Sequence, residues 1–180
     1  MVKYRILWLI AHSPIHILIC QPDFLVSFLL LSLMGKLSIQ DLEINKKIDI
    51  GSVTLSEQDI IDYALANDPL DFHINKKAAE QSIFKGLVAS GSQIFNSLHK
   101  TGWIPLVGHT VLCGMELNHW KFLRPVYANQ KINGTVTPIF IKENADRGHF
   151  VITWKYEFKD EHGELVQTLD VTILHKANPN

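Results

Sequence analysis

The sequence predicts one α+β domain in which an antiparallel β-sheet wraps around a central helix. The signals are mostly helical as far as Trp103 and strand-like from Leu106 onward. The strand-like half holds four segments separated by turn residues, which is the pattern of an antiparallel meander. A sheet with an apolar face needs a cover, and the only predicted helix apolar enough to provide one follows Gly91. We therefore place that helix at the centre of the sheet.

Composition and charge exclude several classes of protein. The chain has 180 residues, of which 47% are hydrophobic, so we expect one domain with a substantial core. Its 17 Lys and Arg are scattered and balanced by 18 Asp and Glu, which leaves no basic surface for a nucleic acid. Neither the nine histidines nor Cys20 and Cys113 have metal-binding spacing, so we expect no metal and no cofactor. We predict that both cysteines are small buried hydrophobes.

Residues 1–33 differ in composition from the rest of the chain. They hold only three charged residues among long apolar runs, and the composition changes abruptly at Met34. Three interpretations stay open: an upstream in-frame extension or poorly ordered tail, a membrane anchor, and a cleaved signal peptide. We prefer the first and assign the domain to residues 34–180. We expect a cytoplasmic protein, with a membrane as partner only if residues 1–33 are native and act as an anchor.

The first half begins with a short strand and a well-capped helix. The segment IDIGSV, residues 48–53, predicts the strand. The helix begins at Thr54 or Ser56, because each is followed three residues later by an acid, which is the capping-box pattern. Four apolar residues at helical spacing are predicted to form its buried face: Ile60, Ile61, Ala64 and Leu65.

Two further helices and the four strands complete the predicted fold. We expect a short helix over residues 78–85 and the central helix over residues 92–98. The third strand segment alternates regularly, with one apolar face made by Ile152, Trp154, Tyr156 and Phe158. The strand segments are residues 109–123, 130–142, 149–159 and 164–176.

The loop after the capped helix, NDPLDFHI, carries three titratable residues: Asp68, Asp71 and His73. On a continuous helix the spacing of Asp68 and His73 would point them about 140° apart. Pro69 disfavours helical geometry at Asp68, so the helix must end there, and the loop is free to bring His73 back. Two such groups that reach one water molecule can act on it as acid and base. From spacing alone, an ordinary Asp-Pro turn beside a packed histidine is the more frequent outcome.

Several segments follow one another in a characteristic order and spacing between Leu37 and Lys176: DLEINKKIDIGSVTLSEQDIIDYA, DPLDFH at 68–73, GLVASG at 86–91, FLRPV at 122–126, DRG at 146–148 and the closing strand. Together they resemble one known family, the MaoC-like acyl dehydratases, which include the (R)-specific enoyl-CoA hydratases. The resemblance implies the hotdog fold, in which a sheet wraps around a central helix.

The resemblance implies an activity, its residues and an assembly. The implied substrate is a thioester of CoA or of acyl-carrier protein, interconverted between its 2-enoyl and 3-hydroxyacyl forms. Asp68 and His73 are the implied catalytic pair. The Gly91 amide, at a helix N-terminus, is the implied donor to the thioester oxygen. The family also implies a homodimer or larger assembly. The implied substrate-binding residues are Ser90, Phe72 and Arg124.

Two of these residues have structural alternatives. Gly91 is also explained if the sheet passes close to the start of the helix, and this does not exclude the catalytic role. Arg124 either contacts a CoA phosphate or orients a strand end.

The chain departs from the family pattern at two places. The closest relatives have Asp-Pro-x-Pro-x-His, and Asp71 replaces the second proline. That carboxylate either approaches His73 and favours its charged form, or faces solvent or a turn amide. Ser92-Gln93 replaces an aromatic residue or Met followed by His, which bears on acyl specificity. Two other functions stay open: a hotdog thioesterase, and a non-catalytic module that binds acyl thioesters.

Overall fold

The computed structural model describes residues 36–177. The predictions for residues 1–33, including that for Cys20, lie outside the described residues. Between residues 36 and 177, no helix combines the length and the apolar character needed to cross a membrane.

Within residues 36–177, five antiparallel strands form one sheet in the order β1-β3-β4-β5-β2. The short strand before the first helix is therefore one edge, and the strand that follows the central helix is the other. The predicted α+β fold is confirmed. The strands are β1 Ile48–Thr54, β2 Val111–Phe122, β3 Lys131–Asn144, β4 His149–Lys159 and β5 Leu165–Lys176.

Most of the helical structure lies between β1 and β2. A π-helical turn, His99–Trp103, joins the central helix to the helix that follows it. Short 3-10 turns lie at Ile39–Asp41, Gly108–Thr110 and Ala145–Arg147. The α-helices are α1 Glu57–Asn67, α2 Asp71–Ile74, α3 Lys76–Gln81, α4 Gly91–Leu98 and α5 Ile104–Val107.

Helix α1 begins with the predicted capping box. The Ser56 hydroxyl accepts from the Asp59 amide, and the Asp59 carboxylate accepts from the Ser56 amide. Ile60 and Ala64 are buried, but the prediction for Leu65 was wrong, since it is 59% exposed. Residues 64 and 65 point about 100° apart on a helix, and α1 packs along a stripe too narrow to cover both.

Helix α4 lies in the core against the curved sheet. Its Ile94 and Leu98 are buried in the same apolar cluster as the inward face of β4. The turn after α4 passes so close to β1 that a side chain at Gly102 would place its Cβ 1.9 Å from the Ile50 carbonyl oxygen. The predicted face of β4 is fully buried: Ile152, Trp154, Tyr156 and Phe158.

Strand β2 corrects the prediction for Cys113. Its thiol is exposed rather than buried. The strand pairs only with β5 within residues 36–177, and most of its residues are exposed on both faces. A small apolar residue is buried only where a second layer covers its strand, and the described residues place none over this part of β2.

Candidate active site

The loop between α1 and α2 brings Asp68 and His73 together. Asp68 ends α1 with φ −158° and ψ 68°, outside the helical region, and α2 restarts three residues later. Pro69 disfavours helical geometry at Asp68, which explains the break. The His73 Nε2 atom lies 3.5 Å from the Asp68 Oδ2 atom. The structure thus has the convergence that the sequence predicted.

The histidine has one defined neutral form. His73 is 6% exposed, and its Nδ1 atom lies 2.6 Å from the Val88 carbonyl oxygen. A carbonyl oxygen only accepts, so Nδ1 carries the hydrogen and donates it. In the neutral ring Nε2 then holds a lone pair, which faces Asp68. In its neutral form the ring therefore presents a proton acceptor toward the carboxylate.

Ser90 fixes the carboxylate from the other side. Its hydroxyl donates to Asp68 Oδ2 over 2.7 Å, and the serine is 1% exposed. The chain of hydroxyls continues outward, because Ser92 Oγ lies 3.2 Å from Ser90 Oγ and accepts from Tyr63 at 3.0 Å. Sequence reasoning named Ser92 only as a departure from the family pattern, and it missed Tyr63. The paired hydroxyls flanking a helix-starting glycine were the available signal.

Gly91 begins helix α4 beside these groups. Its N-cap, Ser90, makes no side-chain capping bond, because its hydroxyl is committed to Asp68. The amides of the first turn therefore receive no side-chain acceptor from Ser90. A Cβ at Gly91 would lie 2.1 Å from the Phe122 Cε1 atom. The close approach of β2 is thus one reason for glycine, and the uncapped first turn is compatible with the proposed amide donor.

A cavity of about 680 Å³ connects these features. Asp68, His73 and Gly91 line it on the helical side, whereas β2 and β5 supply the sheet side. Most other lining side chains are apolar, which suits an acyl chain. They include Phe84, Val88, Ile94, Leu123, Val126 and Val166.

Phe72 and Arg124 also line the cavity. The Phe72 ring packs edge-on against His73, with centroids 4.4 Å apart. Arg124 donates to the Glu164 carboxylate at 2.7 Å, and both side chains are about half exposed. The structure therefore brings Asp68, His73, Ser90, Gly91 and Phe72 together, with Arg124 at an exposed part of the lining.

Of the residues that depart from the family pattern, Ser92 lines the cavity, whereas Asp71 and Gln93 lie outside its lining. Asp71 is exposed at the first position of α2, and it is Asp68 that lies within reach of His73. Gln93 is 3% exposed and donates to the Asp59 carbonyl oxygen of α1 over 2.8 Å. Gln93 therefore ties α4 to α1 and does not line the cavity.

Comparison with known proteins identifies the family. Residues 38–155 match the model of the MaoC like domain. This is more than half of the chain, and the protein belongs to that family. A curated relative, the uncharacterized protein YdeM of Bacillus subtilis (strain 168), is 29% identical over 98 residues, which are 53% of this chain and 69% of that protein.

Two solved structures show the same fold. The MaoC-like dehydratase from Rhodospirillum rubrum superposes with a TM-score of 0.70 at 24% identity, over 80% of this chain and 99% of that one. The R-hydratase PhaJ1 from Pseudomonas aeruginosa, solved in the unliganded form, superposes with a TM-score of 0.62 at 16% identity, over 79% and 88% of the two chains. The protein has the hotdog fold.

Proposed function

We propose that the protein adds water to a 2-enoyl thioester of CoA or acyl-carrier protein to give the 3-hydroxyacyl thioester, and catalyses the reverse dehydration. Membership of the MaoC-like family supports a hydratase or dehydratase in general. The observation that carries the specific proposal is the pair of facing acceptors. The lone pair of His73 Nε2 and the Asp68 carboxylate lie 3.5 Å apart beside an apolar cavity.

Two facing acceptors suit one water molecule, which has two hydrogens to donate. A water held in this way donates one hydrogen to His73 Nε2 and the other to Asp68. Its oxygen lone pair is then free to attack a carbon in the cavity. In this arrangement the neutral imidazole acts as the base, and the carboxylate is the second acceptor for the water.

Asp68 and His73 together can carry the one proton that the hydration transfers. One O–H bond of the water breaks as its proton passes to the pair, and the oxygen forms a bond to C3 of the substrate. The C2–C3 π electrons move to C2 and onto the thioester carbonyl as an enolate. The proton held by the pair is delivered to C2. Dehydration is the same path in reverse.

The developing enolate requires a hydrogen-bond donor. We assign this role to the Gly91 amide, at the uncapped start of α4 and on the wall shared with the pair. A backbone amide at a helix N-terminus favours negative charge and needs no reorganisation. The two alternatives would use the same cavity. A thioesterase would hydrolyse the thioester bond, whereas a binding module would leave the thioester unchanged.

An assay with crotonyl-CoA separates these functions. The expected result is loss of the conjugated enoyl absorbance, formation of 3-hydroxybutyryl-CoA and no release of free thiol. Thiol release at a matching rate would identify a thioesterase. Saturable binding of crotonyl-CoA with neither reaction would identify a binding module, and both outcomes contradict the proposal.

We also propose that the chain forms a homodimer through β2. The strand has 12 residues and its outer edge is unpaired within residues 36–177. It exposes Leu112, Met115 and Leu117, each about half accessible. A long apolar edge is a template for pairing with a second strand, and an isologous pair closes both edges at once.

A further inference from the structure

The sheet side of the cavity carries two polar groups among apolar side chains: the carboxamide of Gln167 and the indole nitrogen of Trp120. Phe122 of β2 and Gln167 of β5 are paired residues in the sheet. Trp120 packs beside Phe122, with ring centroids 5.5 Å apart. All three line the cavity that contains Asp68 and His73. Together, Trp120, Phe122 and Gln167 form one wall of the cavity, the Gln167 wall.

The polar groups of the wall have no partner in the described protein. Gln167 is 3% exposed, and within residues 36–177 its amide nitrogen has no hydrogen-bond acceptor. The indole nitrogen of Trp120 is also buried without an acceptor among these residues. A buried unpaired amide costs free energy that an isosteric leucine would avoid. Neither donor is needed for the fold described here, so both are available to a ligand.

Gln93 provides a comparison within the same protein. It is buried to the same extent, but its amide nitrogen donates to Asp59 and holds two helices together. Gln167 has no such structural partner and faces the cavity side of the sheet. Gln93 also has one buried atom without a partner among the described residues, its Oε1, but its amide nitrogen holds two helices together, whereas that of Gln167 does not.

We propose that Gln167, with Trp120, binds a neutral oxygen atom carried by the acyl chain, so that the substrate is an oxygen-bearing 2-enoyl thioester rather than a plain hydrocarbon one. The inference rests on the proposed function, because it concerns the substrate of that site. A carboxamide both donates and accepts, and an indole N–H donates, so a hydroxyl, ether or keto oxygen satisfies them. A carboxylate is disfavoured, because Arg124 is the lining guanidinium and already pairs with Glu164.

Binding of saturated acyl-CoA analogues tests the inference without requiring turnover. The probes are hexanoyl-CoA, its isostere 4-methoxybutanoyl-CoA, and 6-hydroxyhexanoyl-CoA, measured by isothermal titration calorimetry. We expect at least one oxygen-bearing probe to bind about tenfold more tightly than hexanoyl-CoA. In Gln167→Leu this preference should be abolished or reversed. Equal dissociation constants in the parent protein would show that water satisfies Gln167, and would overturn the inference.

Two further variants control the measurement. Gln167→Met removes the carboxamide with a flexible side chain, and it replaces the leucine variant if that one does not fold. Gln93→Leu removes an equally buried carboxamide outside the cavity lining, so it should leave the ratio of dissociation constants unchanged. If Gln167→Leu and Gln167→Met fold and keep the parent preference, Gln167 does not contact the chain and the inference fails.

Hydration rates separate this inference from the proposed function. The corresponding 2-enoyl-CoA thioesters should show the same order of kcat/KM as the binding series. A binding preference without hydration of any probe would support the Gln167 contact and contradict the hydratase proposal. Hydration of every probe with equal kcat/KM and equal affinity would support the hydratase and contradict the Gln167 contact.

Discussion

The hydroxyl of Ser90 donates to the Asp68 carboxylate over 2.7 Å, although Ser90 occupies the N-cap position of α4. Serine at that position usually accepts a hydrogen bond from its own helix. Here the hydroxyl donates to the carboxylate instead, so the amides of the first turn receive no side-chain cap from Ser90. One contact between residues 22 positions apart thus prepares two parts of the proposed site.

Removing the Ser90 hydroxyl should impair turnover more than folding. Ser90→Ala removes one hydrogen bond to a charged group, which is worth about 1.5–3 kcal/mol, so we expect kcat to fall about 10- to 100-fold. The melting temperature should fall by a few degrees only, because the variant loses this hydrogen bond but no helix cap. Ser97→Ala in the same helix is the matched control, with expected kcat near the parent value. An unchanged kcat in Ser90→Ala would contradict the role of this contact.

A second prediction separates the packing of Gly91 from its amide. In Gly91→Ala the new Cβ would occupy the space of the Phe122 ring, so the ring must move within the cavity. We expect kcat/KM to fall about 10- to 100-fold. The double variant Gly91→Ala with Phe122→Ala keeps the backbone amide and removes the clash, so it should recover to the level of Phe122→Ala alone. A double variant as impaired as Gly91→Ala would show that the loss does not arise from the Phe122 ring.

The sequence predicted those features that local signals determine. Pro69 indicates that α1 must end at Asp68, and the capping box at Ser56 marks where that helix begins. Alternation in β4 predicted a face that is fully buried. Each of these follows from residues within a few positions of one another, which is why one sequence was sufficient.

The features that the sequence did not predict depend on contacts between distant segments. The partner of Ser90 and the position of Gln167 in the cavity require the sheet to be closed around α4. Cys113 was predicted to be buried because free cysteines are buried on average. It is exposed because its strand is an edge of the described sheet. Leu65 fits the helical period but lies beyond the stripe that α1 buries.

A buried histidine outside the cavity should make the fold sensitive to acid. His175 is fully buried: its Nδ1 lies 2.7 Å from the Thr110 hydroxyl, and its Nε2 accepts from the Trp154 indole at 3.2 Å. The Thr110 hydroxyl donates to the Val107 carbonyl, so His175 Nδ1 carries the hydrogen and the neutral ring satisfies both contacts. Burial, with a smaller contribution from His109, lowers the pKa of His175 to about 4.

The unfolded chain therefore binds this proton more readily than the folded one. Between pH 6.5 and about 4 the unfolded state is protonated at His175 and the folded state is not. The free energy of unfolding should thus decrease on acidification through this range, by up to about 3 kcal/mol. In His175→Gln the number of protons taken up on unfolding should decrease by about one in this pH range. Urea unfolding at several pH values measures this number. His162 is an exposed histidine, so His162→Gln should leave the dependence of the free energy of unfolding on pH as it is in the parent protein. If His175→Gln also showed the parent dependence on pH, the assignment of this effect to His175 would be wrong.

If the dimer forms through the edge of β2, a charge introduced on that strand should prevent dimerisation. Leu117→Glu places a carboxylate on the exposed face of β2, where pairing with a second copy would bring two such charges together. We expect light scattering at micromolar concentration to give a dimer mass for the parent and a monomer mass for the variant. Ile83→Glu, an equally drastic change at an exposed site away from the strand, should remain dimeric. A monomeric parent protein would contradict the assembly.

The shared action of Asp68 and His73 is tested most directly by a double-mutant cycle in the crotonyl-CoA hydration assay. Asp68→Asn and His73→Ala should each lower kcat by about 100-fold or more, because the first removes the charge of the carboxylate and the second removes the imidazole base. The double variant should be little worse than either single variant, since two groups that act on one water fail as a unit. Losses that multiply, or a variant that retains parent kcat with an unchanged melting temperature, would contradict a water shared between Asp68 and His73.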